Sequence, residues 1–218
     1  MQHSALRQKT AETNSMHLSK GKQVTIIVLL LLIIDQAVKL WIKTHMTLGE
    51  SIPVFGSWFQ IYFIENNGMA FGMQLGGAFG KFVLSSLRLV LIGFIIYYIV
   101  KLIKMDASRG ILTGMALILV GAMGNIVDSM FYGLIFNEST FTSAASIFPD
   151  GGGYAPFLFG KVVDMLYFPL IDTTLPDWVP FWGEEHFIFF RPIFNIADSC
   201  ITIGVGYLLI FHRKFFLR

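Results

Sequence analysis

"ILVGAMGNIVDSMF" occupies residues 118–131 and places an asparagine and, three residues later, an aspartate inside a run otherwise suited to hydrocarbon. A helix rises about 1.5 Å per residue, so about 20 mainly apolar residues cross the roughly 30 Å core of a bilayer. The stretch 111–131 meets that requirement, and so do 24–42, 82–103 and 193–211. A chain of 218 residues that is 55% hydrophobic and 14% charged, with mean hydropathy +0.66, falls in the membrane class. The fold expected is an all-α membrane protein of four transmembrane helices with a small β element.

The same composition narrows the function. A net charge of +2 without a basic, aromatic-interleaved face speaks against a nucleic-acid partner. One cysteine, Cys200, excludes a disulfide framework and a paired-thiol redox motif, and without a nearby histidine base it reads as a small buried apolar residue. The histidines His3, His17, His45, His186 and His212 lack metal-ligand spacing, and no dinucleotide, phosphate-loop or H-E-x-x-H pattern is present, so no metal and no cofactor are expected.

Basic residues flank spans preferentially on the cytoplasmic side. Ten of the sixteen lie in the N-terminal tail (Arg7, Lys9, Lys20, Lys22), between helices two and three (Lys101, Lys104, Arg109) and in the C-terminal tail (Arg213, Lys214, Arg218). Both termini are therefore expected in the cytoplasm, with tails 1–22 and 213–218 around one four-helix domain, 23–212. The run 24–34 continues through Asp35, Lys39 and Trp41 without a cleavage site, so it reads as a retained helix rather than a secretory signal. Two long segments, about 43–81 and 132–192, fall outside. The first is rich in aromatic and β-branched residues and ends in Asn66-Asn67-Gly68, which predicts short strands. The second alternates Gly and Pro with tryptophans and reads as an extended outer loop on the membrane surface. Trp178, Trp182 and Arg191 read most simply as interfacial anchors, with contact to substrate lipid as the alternative.

Ionisable groups in spanning helices cost about 2.5–3.5 kcal/mol at the centre, so each acid needs an account. Asp35 precedes Lys39 by four residues, the favourable order for an intrahelical pair with a structural role. Asn125/Asp128 and Asn195/Asp198 repeat an N-x-x-D pattern that puts each pair on one helix face, looking into the bundle. Asp198 would lie about 7–8 Å below the outer boundary, a depth water reaches. Asp164 sits in "GKVVDML", just before or at re-entry to the membrane. Acids gathered toward one face suit chemistry at the outer surface better than a path through the bilayer. Two adjacent carboxylates cannot both ionise cheaply, so one keeps a proton and the other acts as base, the minimum apparatus for hydrolysing an amide. Spacing leaves Asp128 with Asp198 and Asp164 with Asp198 equally open. A small proton-coupled transporter using intramembrane carboxylates is the alternative, and an assembly factor using Asn and Asp as interhelical hydrogen-bonding groups a third.

Four motifs in order, "ENNGMAFG" (65–72), "GAMGNIVD" (121–128), "GKVVDML" (160–166) and "FNIADS" (194–199), resemble the bacterial lipoprotein signal peptidases, or signal peptidase II family. The likeness covers about residues 24–211. It implies an aspartyl endopeptidase of the bacterial inner membrane, working toward the periplasm, that removes signal peptides from prolipoproteins before the lipid-modified cysteine. Substrate and membrane lipid are the partners, and a monomer is expected. The resemblance selects Asp164 and Asp198 as the catalytic dyad. It makes Asn66, Gly68, Ala70, Gly121, Asn125, Asp128, Asn195, Ala197, Asp35 and Lys39 supporting or substrate-binding residues. It also implies a periplasmic β-cradle. The chain departs from the pattern at Ser129, where the family usually has arginine, and in the long separations of Asp128, Asp164 and Asp198, which put extra chain outside the membrane.

Overall fold

The computed structural model describes residues 18–68, 77–178, 180 and 183–215. The tail before residue 18, Ala70, Trp182 and residues 216–218 lie outside these. Helix α1, Lys20–His45, begins where the Ser19 hydroxyl accepts the Lys22 amide, so residues 20–22 are helical rather than part of the expected tail. Helix α2 covers Gly77–Lys104, and α3, Arg109–Val127, starts at the Ser108 cap. The last of these continues through a wider π turn, Asp128–Tyr132, into a final α turn, Gly133–Ile135. Among the described residues, three helices are long and apolar enough to cross a membrane: Lys20–His45, Gly77–Lys104 and Arg109–Ile135. Helix α4, Ile196–Phe211, has 16 residues, or about 24 Å. It is shorter than the sequence suggested, because Asn195 caps it and Ile193–Phe194 leave the helix to form a strand.

Leu87, Val90, Phe94 and Tyr97 on α2 and Ile203, Leu209 and Ile210 on α4 are exposed, an apolar surface of the kind that faces lipid. Inside, α3 packs closely on α4 because small residues let the backbones approach. A Cβ on Gly121 would come within 2.3 Å of the Ala197 carbonyl oxygen, and one on Gly124 within 2.7 Å of the Ala197 Cβ.

The expected strands form: β1 is Ser51–Phe55 and β2 is Phe59–Asn66. The segment expected as an outer loop supplies the rest of an antiparallel sheet, β3 (Val162–Tyr167) and β6 (Ile193–Phe194), in the order β1-β2-β3-β6. Instead of lying on the surface, β3 runs through the core, with Val162, Val163, Asp164 and Met165 buried. Its docking is specific, since the Val163 amide donates to Asp128 Oδ2 at 3.1 Å. A separate hairpin, β4 (Ile171–Thr174) with β5 (His186–Phe189), projects from the same segment.

Candidate active site

Strand β3 and the first turn of α4 meet at a cavity of about 990 Å³, whose polar lining includes Asn66, Arg88, Asn125, Asp164 and Asp198. Ile64, Phe190, Ile193, Phe194 and Ile203 make its apolar wall. Asp164 reaches the cavity because β2 and β3 pair with Ile64 opposite Asp164. Asp198 reaches it from the third position of α4, not from deeper in a helix as expected. Asn195 and Asp198 form a reciprocal cap: the Asp198 amide donates to Asn195 Oδ1 at 2.9 Å, and the Asn195 amide to Asp198 Oδ2 at 3.3 Å. The second N-x-x-D is thus a helix start, whereas the first, Asn125/Asp128, sits within α3 and its π turn.

Two asparagines tie the acids together. Asn195 Nδ2 donates to Asp164 Oδ1 at 2.7 Å and to Asn125 Oδ1 at 2.9 Å, while Asn125 Nδ2 donates to Asp198 Oδ1 at 2.7 Å. The other Asp164 oxygen accepts from Asn66 Nδ2, and Asn66 Oδ1 accepts from the Gly68 amide. Gly68 has φ +89°, a conformation glycine adopts without steric cost. Burial, and then the neighbouring negative charge of Asp198, push the Asp164 carboxyl up to about 7; hydrogen bonds from Asn195 and Asn66 and the charge of Lys39 oppose them.

Asp128 does not line the cavity. It is fully buried beside Lys39, whose ammonium lies 2.8 Å from Asp128 Oδ2, 3.2 Å from Asp35 Oδ2 and 3.1 Å from Asn125 Oδ1. The expected Asp35–Lys39 pair therefore exists but is not self-contained, because one lysine neutralises acids from two helices. Asp35 also accepts the Ala197 amide at 3.0 Å, which fixes the start of α4 against α1. Ser129 is buried, does not line the cavity, and donates to the Asn125 carbonyl at 3.2 Å.

Three polar residues here went unremarked as site candidates in the sequence reading. Gln36 bridges helices by donating to Asp128 Oδ1 at 2.9 Å and to the Gly124 carbonyl at 3.2 Å. Lys43 pairs with Glu65 beneath β2 and donates to Ser139 Oγ at 2.9 Å. Arg88 donates to the Gly68 carbonyl. A cation in the middle of an apolar helix was the available signal for Arg88.

A family model described as "Signal peptidase (SPase) II" matches residues 27–214. The chain belongs to the signal peptidase II family. Among curated relatives, a lipoprotein signal peptidase of Porphyromonas gingivalis is 50% identical over 90% of this chain and 85% of its own length. One from Amoebophilus asiaticus is 38% identical over 86% and 76%. A solved structure described as a bacterial membrane enzyme aligns with TM-score 0.55 and 25% identity, covering 88% of this chain and 87% of that one. The chain is accordingly a membrane protease of the signal peptidase II family, and the transporter alternative has no support.

Proposed function

We propose that Asp164 and Asp198 form the aspartic dyad with which this family member removes signal peptides from bacterial prolipoproteins, cutting before the lipid-modified cysteine. The observation that carries the reading is that these two carboxylates share one cavity and one hydrogen-bonding partner, Asn195. One proton lies between them. The ionised carboxylate takes a proton from water as its oxygen bonds to the scissile carbonyl carbon. The protonated partner polarises that carbonyl and then protonates the departing nitrogen as the C–N bond breaks. The apolar lining by Ile193, Phe194 and Ile203 suits acyl chains.

In this reading α4 is the fourth span, both termini are cytoplasmic and the sheet lies at the periplasmic face of the inner membrane. The placement of the basic residues supports that orientation. The enzyme acts as a monomer, with Asn66 and Gly68 on the substrate side. Gly121, Asn125, Asp128, Asn195, Ala197, Asp35 and Lys39 hold the frame. The test is cleavage of one lipidated prolipoprotein by purified protein in detergent. Cleavage by wild type and its loss in Asp164→Asn and Asp198→Asn, with folding retained, is the expected result; processing by either variant overturns the dyad.

A further inference from the structure

We propose that Arg88 is a substrate-binding residue that grips a carbonyl oxygen of the lipopeptide; this rests on the function proposed above. Arg88 is the twelfth residue of the 28-residue α2, roughly 16 Å along the helix, where an apolar span would ordinarily carry no charge. Its guanidinium lines the same cavity as Asp164 and Asp198. Among the described residues its hydrogen bond, from Nη2, goes to the Gly68 carbonyl, and it forms no salt bridge.

A guanidinium carries five N–H donors in a rigid fork, so holding one backbone carbonyl leaves most of them for another acceptor. The rest of the wall mixes apolar residues (Ile64, Val162, Phe190, Ile193, Phe194 and Ile203) with polar ones, Arg191 being a second cation among them, and an oxygen acceptor on a bound substrate would answer the donors of Arg88 that Gly68 leaves over. Gly68 is matched to the task. Its carbonyl orients the fork, and a Cβ there would fall 2.7 Å from Arg88 Nη1. Such an oxygen occurs in the peptide backbone and in the acyl esters of the modified cysteine.

The experiment measures KM and kcat of the full-length protein on a diacyl-ester lipopeptide and on its dialkyl-ether analogue. Arg88→Gln is expected to raise KM about tenfold with kcat within threefold of wild type, and Arg88→Lys to raise KM about threefold. Equal effects on both substrates assign the oxygen to the peptide, and an effect on the ester substrate alone assigns it to the lipid; both support the proposal. Unchanged KM in Arg88→Gln, or a fall confined to kcat, overturns it. If Arg88→Gln does not fold, Arg88→Lys decides: a raised KM supports the proposal and a wild-type KM overturns it. Failure of wild-type protein to cleave either substrate would instead sink the proposed function.

Discussion

Asn195 donates to Asp164 Oδ1 at 2.7 Å while its own side-chain oxygen caps the helix that carries Asp198, so one residue sets the relative position of two acids on different elements. Asn195→Ala removes both contacts and leaves the Asn125 oxygen without that donor. Loss of a preorganised donor at a reacting centre lowers kcat by about 100-fold, and loss of the cap costs about 1 kcal/mol. Single-turnover cleavage together with thermal unfolding in detergent separates the two effects. Near-wild-type kcat in a folded Asn195→Ala protein would show that the acids are held by something else.

Lys39 is shared by Asp35 and Asp128 in a site with no exposure. Removing one member of such a group leaves an uncompensated buried charge and costs about 3–5 kcal/mol. Lys39→Met is therefore expected to unfold the protein or strip its activity, whereas Lys39→Met combined with Asp128→Asn regains a large part of the stability. Asp128→Asn alone should slow cleavage without abolishing it. A double-mutant cycle on denaturant unfolding reads the coupling, and additive losses would contradict the shared-lysine arrangement.

Gly121 meets the Ala197 carbonyl, a backbone atom that cannot rotate away. Gly121→Ala must push α4 from α3 at a cost of about 1–3 kcal/mol, and the displacement carries Asp198 with it. Activity is expected to fall further than stability does. A variant with unchanged melting temperature and unchanged kcat would show that the two helices are not in such close contact.

The three long helices were legible because their apolar runs exceed what a soluble helix needs, and β1 and β2 because alternating aromatic and β-branched residues precede Asn66-Asn67-Gly68. The acids of the cavity stood out as charges in apolar surroundings. What stayed hidden depended on contacts distant in sequence. "KVVDMLY" has a continuous apolar character that fits a buried strand or a short helix, and only pairing with β2 and the Val163–Asp128 bond decides for the strand. Ile193–Phe194 merge into the apolar run of α4, and the break shows only once Asn195 is seen to cap. The π turn at Asp128 has no propensity signature. Arg88 was visible as an intramembrane cation, but which wall of the bundle it faced was not.

Asp164 makes the stability of the protein depend on pH. Burial and Asp198 raise its carboxyl to about 7 in the folded protein, against about 3.9 in an unfolded chain. The native state thus binds this proton more tightly than the unfolded state between those values. The group's contribution to stability is full below about pH 4 and is lost as pH rises through about 7. At about 1.4 kcal/mol per pH unit the loss is on the order of 4 kcal/mol. Asp164→Asn, which cannot ionise, lacks this loss. The stability of wild type relative to Asp164→Asn should therefore decline from about pH 4 to about pH 7 and level off above it. Denaturant unfolding of both proteins in detergent at four or five pH values measures the difference, and parallel curves would mean that Asp164 titrates in the folded protein as an ordinary carboxylate.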